Sequence, residues 1–400
     1  MKVVFISNYY NHHQAPFSEA MDHLTEGQYW FIATEEMSDE RKNMGWGRES
    51  LPDYVVKAFE SSEELGRASR LIDDADIAIL GLSGWKNFQL VQRRLKQNKL
   101  TFRYSERIYK MGIKRYRLPI QAAKLWLAGG RYAAMYMLCA SAYTAQDYAK
   151  TGSYLNKTYK WGYFPRVKQY DVDELMKKKL SVTSTGWKRP CASILWAGRL
   201  IGWKHPDASI QLAASLKEKG YSFKMSIIGN GEMENQLQKM IIDRNVSDCV
   251  EMLGAMTPEE VRKHMEKADI YLFTSDFNEG WGAVLNESMN SGCAVVASHA
   301  IGSVSFLIKN GENGLIYQNG NQKHLEEQVC KLLDDAEYRK KIGKKAYRTI
   351  ADTWNAENAA ERLLMLAQNI GEHKNVVNLF KDGPCSKAQI IQNDWFNYIK

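Results

Sequence analysis

The 400-residue chain lacks most of what would set it outside the ordinary globular classes. Cysteine is scarce: Cys139, Cys191, Cys249, Cys293, Cys330 and Cys385 lie far apart, with no C-x-x-C pair. That argues against a zinc framework and points to a reducing compartment, so a cytoplasmic location is expected. Proline is nearly as rare at 8 residues, and with 28 glycines the chain has no collagen-like or long disordered tract. No apolar run reaches the roughly 18 residues that a membrane-crossing helix needs. The opening MKVVFISNYY turns polar by Ser7 and reads as a first strand rather than a secretory leader.

Acidic residues are short in one region only. Residues 93–131 hold twelve Lys and Arg against a single acid, Glu106. Residues 1–170 hold 25 basic and 17 acidic residues, whereas 171–400 balance at 29 and 29. The whole net charge of +8 therefore sits in the first part. Such asymmetry predicts an anionic partner there. Tyr, Leu and Trp126 among the cations favour a membrane surface, reached peripherally, over an ordinary charged face. No recognition motif accompanies the charge, so no nucleic acid is expected.

What the chain does have is apolar strands alternating with amphipathic helices. Val3–Ser7, Tyr29–Ala33, Ile77–Leu82, Leu100–Tyr104 and Ala134–Ala140 read as strands, with helices between them. Residues 171–190 are polar, end in Pro190 and are expected to be a linker. The alternation then resumes at Ala192–Ala197, Phe223–Ile228, Val250–Leu253, Ile270–Thr274 and Ala294–Ser298. This predicts an α/β chain of two doubly wound domains, 1–170 and 191–374, facing each other across a deep cleft. The segment 375–400, ending DWFNYIK, is expected to pack on a neighbouring surface. Doubly wound sheets bind ligands beyond the carboxyl ends of their strands.

The richest stretch is Thr274 to Glu287, TSDFNEGWGAVLNE, which leaves a strand, crosses a Gly-rich loop and enters a helix. Gly280 and Gly282 let a ligand approach the backbone, with Trp281 between them. The amides of Gly282, Ala283 and Val284 are placed to attract phosphate or sugar oxygens. Glu279 and Glu287, eight residues apart, suit hydroxyl recognition. A second stretch, AGRLIGWKHP from Ala197 to Pro206, puts Gly198, Arg199 and Lys204 at another strand end. Two cations there could neutralise a departing diphosphate. A third, IIGNGE around Gly229, is a strand-to-helix turn whose lone G-x-G is a weak signal. His12 and His13 follow the first strand and are candidates for acceptor or phosphate contact, with surface or capping roles equally open. No residue set has metal-ligand spacing, and neither metal nor cofactor is expected.

These words together (GRL…GWK, IIGNGE, LGAM at 253–256 and the E-x7-E loop) resemble the nucleotide-binding domain of retaining family 4 glycosyltransferases, of the GT-B fold with its two Rossmann-like domains. NHHQ, the word at 40–46 and Tyr104–Arg107 are similar to bacterial surface-polysaccharide glycosyltransferases. The resemblance implies a UDP- or GDP-sugar donor and a sugar or lipid-linked acceptor. It implies that Arg199 and Lys204 hold the donor diphosphate, that Glu279 contacts the sugar and that Glu287 binds the ribose. Gly254, Ala255 and Met256 would border the base. It further implies a metal-free reaction with retention, and a C-terminal helix that returns to the first domain. Three positions depart from the family. The loop after the first strand lacks glycine. Arg103 or Glu106, both expected on the acceptor side, stands where many members carry a histidine facing the sugar. Phe306 takes the place of a glutamate after a late turn. The competing readings are a GT-B-like sugar-nucleotide epimerase or hydrolase, and a non-catalytic nucleotide-binding module at a membrane surface.

Overall fold

The computed structural model describes residues 1–38, 50–81, 85–110, 112–182, 191–373 and 378–397. The 40–46 word and residues 183–190 of the expected linker lie outside them. Along the chain come β1 (Val3–Ser7), α1 (Ala15–Leu24), β2 (Tyr29–Ala33), β3 (Val55–Lys57), α2 (Ser62–Asp74), β4 (Ile77–Leu80) and α3 (Trp85–Lys96). Then follow β5 (Thr101–Ser105), α4 (Leu118–Leu125), β6 (Met135–Cys139), α5 (Thr144–Ala149), β7 (Thr158–Lys160), α6 (Val172–Val182), β8 (Ala192–Ala197) and α7 (Pro206–Glu218). Next are β9 (Phe223–Ile228), α8 (Glu234–Asp243), β10 (Val250–Gly254), α9 (Pro258–Lys267), β11 (Ile270–Phe273) and α10 (Val284–Asn290). The chain closes with β12 (Ala294–Ser298), α11 (Val304–Leu307), β13 (Leu315–Tyr317), α12 (Gln322–Asp334), α13 (Ala336–Arg348) and α14 (Ala356–His373).

The chain divides into two units: Met1–Arg166 with Trp354–Gln392, and Val167–Thr353 with Asn393–Lys400. The first is built on a parallel sheet in the order β3-β2-β1-β4-β5-β6-β7. β1 and β6 are buried along their whole length, as strands covered on both faces must be. Helix α14 packs on α1 within this unit. Residues 385–388 then pair with the edge strand β7: Cys385 N–H donates to Lys160 O at 2.8 Å and Lys160 N–H to Ser386 O at 2.7 Å. Pairing there covers an otherwise open sheet edge. The return to the first unit thus starts at Trp354, earlier than the 375 expected from sequence.

The second unit is a parallel sheet in the order β10-β9-β8-β11-β12-β13. The order reverses between β8 and β11, so the loops leaving those two neighbours diverge and leave a crevice beyond their carboxyl ends. Part of the expected linker is instead a core element of this unit. Leu175 and Met176 of α6 are buried, and the buried Lys179 donates from Nζ to the carbonyls of Met265 and Ala268. The polar reading of 171–190 missed this because a long lysine stem can be buried while its head caps a neighbouring helix.

Candidate active site

The loops after β8 and β11 meet at the point where the strand order reverses. After β8 the chain runs through Gly198–Ile201 into a single 3-10 turn, Gly202–Lys204, and then into α7. After β11 it runs through 274–283 into α10. Lys204 Nζ lies 2.6 Å from Glu279 Oε2, both side chains being mostly buried. Ser275 Oγ donates to the same carboxylate oxygen at 3.0 Å. The ammonium also lies 4.7 Å from the centre of the Trp203 ring. The two loops are tied together at the backbone: Asp276 N–H donates to Trp203 O at 3.0 Å, and Thr274 Oγ1 to Lys204 O at 2.6 Å. Trp196 Nε1 donates to Thr274 Oγ1 in turn, at 2.8 Å. A cation and a carboxylate 75 residues apart are thus locked into one site. Thr274, Ser275 and Trp203, which do the locking, lie inside the two stretches singled out from sequence, but no role was assigned to them there.

Arg199 is exposed and makes no ion pair among the described residues. Gly198 and Gly229, also expected on the donor side, serve to bring two loops together. Gly198 N–H donates to Ile228 O at 3.0 Å, and Leu200 N–H to Asn230 O at 2.8 Å. The two loops run so close that a Cβ on Gly229 would stand 1.8 Å from Gly198 O. The G-x-G word therefore permits one loop to lie against another. Gly229 N–H also reaches Gly254 O at 2.8 Å, which fixes the third loop, at 254–256. Gly254, Ala255 and Met256 are partly or fully exposed beside it.

Within 279–287 the expected residues separate. Glu279 and Gly280 are buried at the loop, and Gly282 has φ +80° with Phe273 only 2.4 Å from where a Cβ would be. Trp281, expected on the donor side, is instead fully buried, its Nε1 donating to Asn286 Oδ1 at 2.9 Å. Its ring centre lies 6.3 Å from that of Phe306, so an apolar pair fills the space behind the loop. Gly282, Ala283 and Val284 open a helix of only two turns, which limits the axial field their amides can supply. Glu287 lies one turn on. Burial pushes its carboxyl up to about 6, against the opposing pull of Arg262 on α9. Arg262 is itself buried and donates to Asn290, one turn beyond Glu287 on the same face of α10.

In the first unit the acceptor-side residues divide by strand parity. Arg103 of β5 is buried and donates to Ala128 O at 3.1 Å, so it braces the 126–130 turn. That takes it out of the expected acceptor set. Its neighbour Tyr104 is on the opposite face. There Tyr163 donates to Glu106 Oε1 at 2.7 Å, and its ring lies 6.1 Å from those of both Tyr104 and His13. His12 and His13 sit against each other at 3.8 Å. Burial first, and the neighbouring His12 second, push His13 down to about 3. His12, His13 and Glu106 therefore form one cluster, joined by a tyrosine that the sequence left unmarked.

Residues 183–349 match the family described as Glycosyl transferases group 1. A stretch of 144 residues is 32% identical to the amylovoran biosynthesis glycosyltransferase AmsK of Erwinia amylovora, covering 35% of this chain and 35% of that protein. One of 153 residues is 31% identical to the N-acetylgalactosamine-N,N'-diacetylbacillosaminyl-diphospho-undecaprenol 4-alpha-N-acetylgalactosaminyltransferase of Campylobacter jejuni subsp. jejuni, covering 38% and 40%. The chain thus spans less than half the length of these relatives. The solved structure of Anabaena Alr3699/HepE in complex with UDP is similar over 94% of this chain and 100% of that one, with a TM-score of 0.64 at 14% identity. Likeness at that identity shows the fold: two doubly wound α/β units of the GT-B type. The resemblance read from the motifs, to family 4 glycosyltransferases of the GT-B fold and to bacterial surface-polysaccharide glycosyltransferases, holds at the level of this group 1 match and these relatives.

Proposed function

We propose that this chain, whose second unit carries a group 1 glycosyltransferase module on a GT-B fold, moves a sugar from a nucleoside-diphosphate sugar to a hydroxyl acceptor with retention. The carrying observation is the Lys204–Glu279 pair at 2.6 Å, held at the strand-order reversal of the second sheet. An ammonium has three N–H donors, so Lys204 can keep Glu279 and still hold a phosphate oxygen. Arg199, exposed on the same loop, adds a second cation for the departing diphosphate. Together they lower the cost of the charge that develops as the glycosidic bond breaks, with no metal required. Glu279 accepts from sugar hydroxyls, and Glu287 from the ribose. The loop at 254–256 borders the base. The departing diphosphate takes the acceptor proton on the face it leaves, which preserves the anomeric configuration.

The acceptor belongs to the first unit, where His12, His13 and Glu106 are the polar candidates. A lipid-linked acceptor is favoured by the cationic, apolar segment 114–131, which would hold the chain peripherally at an anionic membrane on the cytoplasmic side. No helix of the described residues is long and apolar enough to cross a membrane. The test of the donor reading is a thermal-shift screen of UDP, GDP and their sugars. A ligand at about 100 times its dissociation constant adds about 2.7 kcal/mol of stability. Stabilisation by a nucleoside diphosphate that is lost in Lys204→Ala supports the reading; no stabilisation by any of them overturns it.

A further inference from the structure

The aromatic terminus plays no part in the proposed transfer, yet from Asn393 onward it belongs to the second unit. His299, the first residue beyond β12, is its anchor and is 5% exposed. The Asn319 amide lies 2.9 Å from His299 Nδ1. A backbone amide can only donate, so Nδ1 carries the lone pair and the neutral ring bears its proton on Nε2. Nε2 lies 3.1 Å from the carbonyl oxygen of Asn393 and donates to it. The rings of Trp395 and Phe396 stand 6.3 and 6.1 Å from the same imidazole. Phe396 also stacks on His324 at 6.0 Å with an interplanar angle of 3°. His324 is fixed in turn by the Gln318 amide, 3.2 Å from its Nδ1.

The imidazole of His299 also meets Phe277, edge to face, at 5.6 Å. Phe277 lies between Asp276, whose amide is bonded to Trp203, and Asn278, and it stands two residues before Glu279. One ring therefore joins the end of the chain to the loop that carries the proposed sugar-binding acid.

We propose that residues 393–397 are a strap that positions the 276–279 loop, acting through His299 and Phe277. This rests on the reading of Glu279 as a donor-sugar contact. The strap residues touch no substrate; they are positioning residues. Without them the loop samples arrangements in which Glu279 is misplaced, and sugar affinity falls in proportion to the population lost. The bare nucleoside diphosphate is held chiefly by the cations of the 198–204 loop, and its affinity is not affected.

The test uses the full chain with Trp395→Ser and Phe396→Ser combined. Calorimetric titration with UDP-glucose and GDP-mannose should show about tenfold weaker binding of whichever the wild type binds. Binding of UDP or GDP alone should stay within about twofold. A purely structural role would weaken both alike, so equal losses overturn the proposal. The conservative Phe396→Tyr should retain affinity. Hydrogen exchange of the 276–279 amides gives a reading that needs no ligand: about tenfold faster exchange in the double variant is expected. Unchanged exchange there overturns the strap even if every titration is silent. If Lys204→Ala binds the sugar nucleotides as the wild type does, it is the donor reading that has failed.

Discussion

Glu287 carries the clearest pH signature among the proposed donor residues. Burial raises its carboxyl to about 6, above an ordinary glutamate. A carboxyl raised on folding favours the protonated form. Its contribution to stability is therefore complete below the unfolded value and is lost as pH rises through about 6. Glu287→Gln, which stays neutral, should melt close to the wild type near pH 4 and above it at pH 8. The gain should be about 1–2 kcal/mol, given that one pKa unit is about 1.4 kcal/mol. The same substitution should weaken nucleoside-diphosphate binding at pH 8, where a carboxylate would otherwise accept from ribose. Arg262→Met removes the cation that opposes the burial effect, so it should move the pH midpoint of donor binding upward. A variant with its midpoint unchanged would leave Arg262 a purely structural tie to Asn290. At Lys204, Lys204→Ala should lower transfer by about 10²–10³-fold in kcat, the usual loss when a preorganised charge is removed. Steady-state kinetics at saturating donor would measure it.

Glu279 and Lys204 were legible in the sequence because both lie where the chain leaves an apolar strand, and Glu287 because it stands in the first turn of the helix that follows. Burial of charge was not legible. Arg94, Arg103 and Arg107 count towards the basic stretch at 93–131, yet all three are buried. Arg94 alone donates to the carbonyls of Ile72, Ala75, Asp76 and Leu100. A guanidinium with five donors can close several open carbonyls at once, and nothing in residue type separates that use from a solvated one. His13 and Glu106 are likewise brought together through Tyr163, across 57 residues for the Tyr163–Glu106 bond.

Among the elements, the tight turns give the sharpest expectations. Gly229 and Gly254 both have positive φ, at +142° and +74°, but their surroundings differ. A Cβ at Gly229 would collide with the Gly198 carbonyl, and at Gly254 it would meet nothing within 4 Å. Gly254→Ala should therefore cost only the local backbone penalty, about 1–2 kcal/mol. Gly229→Ala must also push the 198–200 loop away, and should cost on the order of 3–5 kcal/mol. Denaturant midpoints at constant slope would measure both. Equal losses would mean that the two loops part more readily than their hydrogen bonds imply. Ten strands followed from apolar runs set between turn residues, whereas the three-residue strands β3, β7 and β13 and the strand order did not. Helix α6 did not, because its buried face is formed by Leu175, Met176 and the stem of Lys179, and that pattern is also that of a charged linker.

For the whole molecule, the uneven charge becomes a located surface once buried cations are set aside. The stretch from Arg107 to Gln146 contains no Asp or Glu. Within it Lys114, Arg115, Arg117, Lys124 and Arg131 are exposed. So are Tyr116, Ile120 and Trp126, at 67%, 59% and 54%, around the short helix α4 and the turn that follows it. Arg131 lies 5.3 Å over the Trp126 ring. Apolar side chains of this size, left in water and ringed by one sign of charge, fit a surface that accepts both: an anionic bilayer. Each cation near such a surface contributes about 1 kcal/mol, so Arg115→Ala with Arg117→Ala should weaken binding to phosphatidylglycerol vesicles roughly thirtyfold. Ile120→Ser with Trp126→Ser should also release the protein, but with little change in salt sensitivity, since the lost term is apolar. Raising salt from 0.1 to 0.5 M should weaken the wild type and the apolar variant alike, as screening shortens the reach of the charges. Vesicle flotation would report each of these. UDP and GDP affinity should be untouched throughout, because every substituted residue lies in the first unit and the proposed donor residues lie in the second. Equal binding of all variants to phosphatidylcholine and phosphatidylglycerol, or binding to RNA in place of either, would remove the membrane from this account and leave the cations to another partner.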